Sequence, residues 1–327
     1  MTGTRPRVVA AGAGRMGRGI ALAFAYGGYE VDLVDLKARS AAEWLRLSAE
    51  AREEMASSLA MLAELGAIPP DAVSRLLDRI HLFPESESGA RLAQADAVFE
   101  GVTETLEAKR EAFARICAST RADAILASTT STILVTDLIA FVTHPERLLN
   151  AHWLNPAYVI PLVELSVHPG TTPATVERLR SLLEDIGKVP VVCGPTPGYI
   201  VPRLQALIMN EAARMIEEGV ATAEEIDKAT RLGLGLRFAA MGVIEFIDYG
   251  GNDILYHASN YLSETVSRER YAAPEIVQRL MREGHSGLKS GQGFYDYRER
   301  DLKAYRKDVL ARTLGMLRHA GLQRPPR

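Results

Sequence analysis

The sequence predicts an α/β protein whose first part is a doubly wound, mostly parallel sheet and whose second part is all-helical. From Arg7 to about Cys193, short β-rich runs alternate with helical stretches, which is typical of a parallel sheet covered by helices on both faces. From Tyr199 to Tyr297 the sequence favours helices and carries few strand signals. The predicted strands are Arg7–Ala11, Glu30–Val34, Ala97–Phe99, Ala124–Ala127, Leu148–Ala151, Pro161–Val167 and Val189–Val192.

A helical hairpin is predicted to interrupt this alternation between Ser40 and Arg79. Its two helices break at Gly66–Pro70, and Pro69 and Pro70 suit the start of the second helix. We expect the hairpin to have one apolar face, because apolar residues recur in it at helical spacing. These residues are Trp44, Leu45, Met55, Leu59, Leu62 and Leu65.

Breaker residues at Gly194–Gly198 mark the predicted domain boundary. We therefore expect a sheet-containing domain over residues 1–194, a helical domain over 195–297 and a basic helical tail over 298–327. Within the helical domain, Thr222 is expected to cap a helix. The tail carries nine Lys or Arg residues against three Asp or Glu residues, and we interpret it as a solvated helix rather than an anion site.

Composition and charge limit the classes of function. The chain has 327 residues, of which 47% are hydrophobic, and this length is sufficient for two domains. The formal net charge of −3 gives no reason to expect nucleic acid or a membrane surface as the main partner. Because Cys117 and Cys193 form no CxxC pair, we expect no disulfide framework, no metal site and a cytoplasmic location. No apolar run approaches the roughly 18 residues of a membrane-spanning helix.

A G-x-G-x-x-G motif, Gly-Ala-Gly-Arg-Met-Gly, begins at Gly12 between a predicted strand and an apolar helix. Gly12 permits the tight turn, Gly14 lets the backbone approach a pyrophosphate, and Gly17 allows close helix packing. The start of the helix offers free N–H groups to phosphates. The next strand leads to Asp35, whose carboxylate would accept hydrogen bonds from both ribose hydroxyls and repel a 2′-phosphate. The sequence therefore predicts NAD binding, with Met16 counted among the contacts.

Three downstream segments carry candidate catalytic residues. They are the hydroxyl-rich loop 126–132, the segment 151–156 with His152, and the apolar strand 161–165 with Glu164. Ligands of doubly wound sheets bind beyond the carboxyl ends of the strands, where the first two segments fall. A buried carboxylate is costly unless it is paired, and His152 is the nearest candidate partner for Glu164. Singly, such a histidine is more often a packed residue and Ser/Thr clusters more often cap helices, but the combination favours catalysis.

Three motifs carry a family resemblance: Ser-Thr-Thr-Ser at 128–131, His-x-x-Asn-Pro at 152–156, and Glu164 twelve residues after His152. They resemble the active-site motifs of the 3-hydroxyacyl-CoA dehydrogenase family, where the first two read close to Ser-Asn-Thr-Ser and His-Phe-Phe-Asn-Pro. The resemblance covers most of the chain. It continues through the segments 99–109, 197–201 and 287–297.

This resemblance implies an NAD-dependent dehydrogenase with a Rossmann-type domain and an all-helical domain that forms a homodimer. It implies that His152 is the general base for the substrate 3-hydroxyl and that Glu164 holds and polarises it. It also implies that Ser131 and Asn155 position the reacting oxygen and the nicotinamide. Three further residues resemble the family's other cofactor contacts. They are Glu104, Lys109 and Lys289.

The sequence departs from the family pattern at three places. Pro202 stands where the family usually has an Asn, so a side-chain amide and a backbone N–H are missing there. Trp153 and Leu154 stand where two Phe are common, and we expect them to reshape the pocket wall beside the base. The hairpin has Arg residues but also five Glu residues, whereas a CoA 3′-phosphate requires a net positive patch.

Three functions remain open at this point. The first is oxidation of a 3-hydroxyacyl-CoA to the 3-oxoacyl-CoA, which would belong to fatty acid metabolism. The second is the same chemistry on a free or non-CoA 3-hydroxy acid, as in relatives resembling gulonate, carnitine, diketo-ester or pyridine-aldehyde dehydrogenases. The third is a catalytically idle NAD-binding structural protein, as lens crystallins of the family suggest. The intact spacing of His152 and Glu164 argues against the third.

Overall fold

The computed structural model describes residues 5–323 and contains one eight-stranded sheet. Its strands are β1 (Val8–Ala11), β2 (Val31–Val34), β3 (Ile80–Phe83), β4 (Ala97–Glu100), β5 (Ile125–Ser128), β6 (Leu148–Trp153), β7 (Leu162–Ser166) and β8 (Val189–Cys193). Their order in the sheet is β3-β2-β1-β4-β5-β6-β7-β8. Neighbouring strands are parallel except for β6 and β7, which are antiparallel. The predicted doubly wound, mostly parallel sheet is confirmed.

Strand β3 is the one strand of this sheet that the sequence analysis missed. It follows directly on the hairpin and lies at the edge of the sheet, where Ile80 is opposite Val31. Of its four residues, only Ile80 is buried. The run is short and half-polar, so it carries little of the sequence pattern that identifies a buried strand. The prediction of seven strands was therefore wrong by one strand, β3.

Helices cover both faces of the sheet. Alternate residues of each strand point to opposite faces, so both faces carry buried side chains. Val8 and Ala10 of β1 belong to one hydrophobic cluster, whereas Val9 and Ala11 belong to another. The helices of this part are α1 (Arg15–Tyr26), α2 (Ala41–Glu64), α3 (Ala72–Asp78), α4 (Glu85–Leu92), α5 (Leu106–Ser119), α6 (Val135–Leu138), α7 (Pro173–Asp185) and α8 (Val201–Glu217).

The predicted helical hairpin consists of α2 and α3. The side chain of Ser40 caps α2 by accepting a hydrogen bond from the N–H of Glu43, whose carboxylate in turn accepts from the N–H of Ser40. Met55 and Leu59 of α2 are buried. The prediction of one apolar face is only partly correct. Leu45, near the start of α2, is 70% exposed, and Leu65, just after its end, is 76% exposed. The hairpin therefore packs through its middle.

The chain divides into two compact units after Met209, within α8. The second unit consists of helices joined by loops, with no strand in its described residues, as predicted, and the side chain of Thr222 caps its first complete helix. The helices are α9 (Ala223–Ala229), α10 (Leu236–Ala240), α11 (Val243–Gly250), α12 (Asn252–Thr265), α13 (Arg268–Tyr271), α14 (Glu275–Arg282) and α15 (Leu302–His319), with a π-helical turn at Thr230–Gly235. The domain limits expected at 194 and 297 stay predictions.

Among residues 5–323, none of the helices combines the length and apolar character needed to cross a membrane. The same range holds no group of three or more His, Cys, Asp or Glu side chains arranged to bind a metal ion.

Candidate active site

The turn after β1 is a tight backbone structure that requires glycine at two positions. Gly12 has a φ of 120°, and a Cβ atom there would lie 2.8 Å from the carbonyl oxygen of Gly101. A Cβ atom on Gly17 would lie 1.9 Å from the carbonyl oxygen of Gly12. A Cβ atom on Gly14, in contrast, would meet no protein atom within 4 Å. The turn is thus closed towards the sheet and open above Gly14.

A cleft lies above this turn, where the sequence analysis predicts the NAD site. Gly14 faces open space, and α1 begins without a side-chain cap, so its first N–H groups are available to phosphate oxygens. Asp35 lies just beyond β2, is buried, and pairs with the guanidinium of Arg39. Met16 lies in the first turn of α1 and packs against the hydrophobic core. The cleft is lined by Gly12, Ala13, Gly14, Arg18, Asp35, Leu36, Lys37, Arg39, Leu47, Gly101, Val102 and Thr103.

The hydroxyl-rich loop after β5 is held in place by Glu104. The Glu104 Oε1 atom accepts hydrogen bonds from the hydroxyl of Thr130, from the N–H of Ser131 at 2.8 Å and from the N–H of Thr132 at 3.0 Å. Burial alone would raise the pKa of Glu104, but the Thr130 hydroxyl, the Lys109 charge and the two N–H groups lower it below the ordinary value. Glu104 therefore fixes the backbone that presents the Ser131 side chain.

Lys109 lies beneath this loop and is fully buried. Its Nζ atom is 2.9 Å from Oε1 of Glu100 and 3.8 Å from Oε2 of Glu104. The second oxygen of Glu100 accepts a 2.7 Å hydrogen bond from the hydroxyl of Ser128. Lys109 thus contacts the carboxylates of both Glu100 and Glu104, which hydrogen-bond to residues of this loop or of the strand before it.

His152 and Glu164 are brought together by the antiparallel pairing of β6 and β7, in which they are directly opposite. His152 Nδ1 is 2.8 Å from Glu164 Oε2, and the two residues are 4% and 0% exposed. The other carboxylate oxygen, Oε1, accepts hydrogen bonds from the N–H groups of Ile200 at 2.9 Å and Val201 at 2.8 Å. Burial alone would raise the pKa of Glu164, but these three hydrogen bonds lower it below the ordinary value.

Tyr199 is the contact of His152 that the sequence analysis did not assign. Its ring is stacked on the imidazole, with ring centroids 4.8 Å apart and planes only 6° from parallel. Its hydroxyl donates to the carbonyl oxygen of Thr130 at 2.7 Å and accepts from Nδ2 of Asn150 at 3.0 Å. Tyr199 lies in the Pro-Gly-Tyr segment of the family resemblance, which was the available signal, but a stack between residues 47 positions apart has no local sequence signature.

Asn155 lies just beyond β6, beside a pocket between α1 and the hairpin. Arg18 forms one wall, because its Nε atom donates to the carbonyl oxygen of Ala13 at 2.9 Å while its guanidinium pairs with Glu54 of α2. Arg15 also lines the pocket and forms no ion pair in the described part of the chain. The lining residues are Arg15, Arg18, Gly19, Leu22, Glu54, Met55, Ser58, Asn155, Pro156, Ala157 and Tyr158.

The remaining residues singled out from the sequence have different surroundings. Trp153 was expected to form part of a pocket wall beside His152, and this prediction was wrong. Strand alternation turns its side chain to the other face of the sheet, where it is 2% exposed and packs against Phe24 and Phe99. Pro202 is the second residue of α8, where a missing N–H is tolerated. Lys289 lies in the second unit and pairs with Asp253 at 3.0 Å.

Comparison with known proteins identifies the family. The family model described as "3-hydroxyacyl-CoA dehydrogenase, NAD binding domain" matches residues 7–196. The model of the C-terminal domain of the same family matches residues 198–297. A 5-formyl-3-hydroxy-2-methylpyridine 4-carboxylate 5-dehydrogenase of Mesorhizobium japonicum is 31% identical over 94% of this chain and 96% of its own. A probable 3-hydroxybutyryl-CoA dehydrogenase of Bacillus subtilis is 31% identical over 90% of this chain and 98% of its own.

A solved structure supports the same assignment. The crystal structure of a 3-hydroxyacyl-CoA dehydrogenase from Archaeoglobus fulgidus is 34% identical to this chain, with a TM-score of 0.77, and covers 98% of this chain and 100% of the solved one. The chain therefore belongs to the 3-hydroxyacyl-CoA dehydrogenase family and is an NAD-dependent oxidoreductase.

Proposed function

We propose that this protein oxidises a 3-hydroxyl group, with His152 as the general base and Glu164 as its partner. The observation that carries the proposal is the buried 2.8 Å contact between His152 Nδ1 and Glu164 Oε2. Because Nδ1 faces the carboxylate, Nε2 is the nitrogen that takes the proton from the substrate hydroxyl. NAD, when bound, accepts the hydride from the same carbon.

Glu164 supports this role through its charge. Its pKa is lowered despite burial, by the hydrogen bonds from His152 and from the N–H groups of Val201 and Ile200, so it is ionised at neutral pH. An ionised partner at Nδ1 fixes the tautomer of His152 and stabilises the imidazolium that forms when the base takes up the proton.

We also propose roles for the other predicted site residues. Ser131 and Asn155 position the reacting oxygen and the nicotinamide. Lys109 is fully buried, so we assign it an indirect role through Glu104 rather than a direct contact with the cofactor. The remaining proposed cofactor contacts are Gly12, Gly14, Met16, Gly17, Asp35 and Lys289.

The leading substrate class is a 3-hydroxyacyl-CoA, the class named for the Bacillus and Archaeoglobus relatives. A free 3-hydroxy acid is the second candidate, and the charge of the hairpin favours it. Helix α2 carries five Glu and two Arg residues, and Arg18 is engaged by Glu54. A CoA 3′-phosphate would find little positive charge there. The Mesorhizobium relative is named for a pyridine carboxylate and not for a CoA thioester, which supports this second candidate.

A direct kinetic comparison tests both substrate classes. NADH oxidation is followed with acetoacetyl-CoA and with acetoacetate as the compounds to be reduced. We expect reduction of at least one of them, and a clear preference in kcat/KM for the thioester under the leading proposal. Equal or better reduction of acetoacetate would replace it with the free-acid proposal, and reduction of neither would contradict 3-oxo chemistry on both.

The proposal includes a homodimer in the cytoplasm. The second unit exposes large apolar side chains, among them Ile254 at 59% and Tyr261 at 66%, which a second copy of the chain would cover. Light scattering at micromolar concentration is expected to give twice the monomer mass of 35.7 kDa.

A further inference from the structure

The segment from Tyr199 to Val201 contacts both members of the proposed catalytic pair. The ring of Tyr199 covers one face of the imidazole of His152, while the two following N–H groups donate to Glu164. The same backbone turn therefore contacts both His152 and Glu164.

The backbone of this turn has an unusual conformation. Tyr199 has a φ of 46°, in the left-handed region that a bulky side chain rarely adopts. In this conformation the N–H groups of Ile200 and Val201 point at one carboxylate oxygen, 2.9 and 2.8 Å away. Successive N–H groups that converge in this way form an anion-binding concavity, which here is filled by a side chain of the protein itself.

The hydroxyl of Tyr199 anchors the ring on its far side. It donates to Thr130 in the loop after β5 and accepts from Asn150 on β6, two residues before His152. The ring is thus held at the backbone and at its tip, and it is 6% exposed. A ring held at both ends limits rotation of the imidazole against which it is stacked.

The stack also has an electrostatic consequence for proton transfer. When His152 takes the substrate proton it becomes a cation, and the face of an aromatic ring attracts a cation. The titratable groups around the pair are Glu164 on β7, Cys193 at the end of β8, Glu104 beyond β4 and the Tyr199 hydroxyl. Burial and the nearby Glu164 charge raise the pKa of Cys193, so its thiol is neutral and adds no charge beside the imidazole.

We propose that Tyr199 is a positioning residue for proton transfer. Its ring orients His152 and stabilises the imidazolium, and its left-handed turn holds Glu164. The proposal rests on the proposed function, because it assumes that His152 is the base.

A pair of variants that both lack the hydroxyl tests the charge of the aromatic face. Tyr199→Phe keeps the aromatic face, and 3,4,5-trifluorophenylalanine at position 199 weakens the negative charge of that face. Proteins labelled with ¹³C-histidine are titrated by NMR, and the His152 signal is identified by its loss in His152→Gln. We expect the fluorinated protein to bind the His152 proton at a pH lower by about 0.5 to 1 unit than Tyr199→Phe does. Equal midpoints in two proteins of equal melting temperature would overturn the electrostatic role.

A third variant separates the ring from the turn. Tyr199→Asn removes the ring, and asparagine tolerates the left-handed conformation. We expect its kcat to fall about tenfold or more with whichever of acetoacetyl-CoA and acetoacetate the wild type reduces better. The KM for NADH should be nearly unchanged. A kcat like that of the wild type would overturn the orienting role.

The outcomes distinguish this proposal from the proposed function. Full activity of His152→Gln would show that the base is wrong, whatever the Tyr199 variants do. An inactive His152→Gln together with unaltered Tyr199 variants would leave the function intact and remove only the role of Tyr199.

Discussion

Two turns of the first compact unit present backbone N–H groups, and they differ in what receives them. The turn at Gly12–Gly17, the open turn, leaves space above Gly14. The turn at Tyr199–Val201, the filled turn, already donates to Glu164. An open turn suits an anion that arrives and leaves, as the phosphates of a cofactor do. A filled turn suits an anion that stays, and it converts a carboxylate into a fixed part of the framework.

The largest expected effect comes from removing His152, the proposed base beside the filled turn. His152→Ala deletes the group proposed to take the proton, and general-base catalysis contributes about 10²–10⁴ in rate. We therefore expect kcat to fall by at least about 10²-fold. NAD affinity, measured by calorimetry, should stay near the wild-type value because the open turn is untouched. A variant that keeps most of its turnover would show that another group is the base.

An intermediate effect is expected from adding one methyl group to the open turn at two positions. In Gly17→Ala the new Cβ would lie 1.9 Å from the carbonyl oxygen of Gly12, so the turn has to rearrange. We expect a loss of about 1–3 kcal/mol of stability, seen as a lower melting temperature, together with weaker NAD binding. In Gly14→Ala the methyl group meets no protein atom, so the melting temperature should not change.

NAD binding is the sharper readout for Gly14→Ala, because its methyl group would occupy the space proposed for the pyrophosphate. We expect affinity to fall about tenfold by calorimetry, a cost of about 1.4 kcal/mol. Wild-type affinity in this variant would mean that the phosphates do not approach the backbone at Gly14.

The smallest effect is expected at Glu104, a partly exposed carboxylate that also receives backbone N–H groups. Its pKa is lowered in the folded protein, so the charge stabilises the fold above the ordinary glutamate pKa. That contribution is lost as the pH falls through the lowered folded-state pKa. Since 39% of the side chain is exposed, we expect Glu104→Gln to reduce the free energy of unfolding by no more than about 1 kcal/mol at pH 7.

Urea unfolding at pH 7 and at pH 3.5 measures this difference, which should shrink at the lower pH. Glu107→Gln, at an exposed position in the first turn of α5, serves as the control. A difference between wild type and Glu104→Gln that grows as the pH falls would contradict the direction of the pKa shift.

The contrast between the two turns also explains what could be predicted from the sequence. The open turn follows from a strand, three glycines and a helix that are adjacent in the chain, so its form was predictable from local residue types. Glu164 was recognisable because an acid in an apolar strand needs a partner. The stack of Tyr199 on His152 depends on where distant segments meet.

Two further differences have the same physical origin. Trp153 was expected beside the base, yet the alternation of β6 places it in the opposite core. The antiparallel direction of β7 was not evident from an apolar run, because hydrophobicity alone does not encode strand direction. Strand β3 was missed because half-polar edge strands have little of the pattern that identifies a buried strand.

The cross-strand position of His152 and Glu164 has a consequence for how this enzyme can diverge. Opposite residues of an antiparallel pair stay together as long as the ladder keeps its alignment, and a slip by one residue would turn Glu164 to the wrong side. The connection between the two strands is not part of this ladder. It carries Asn155, for which a positioning role is proposed, and Tyr158, which lines the pocket beside Arg15. Replacements at Tyr158 can therefore change that pocket while His152 and Glu164 stay opposite each other.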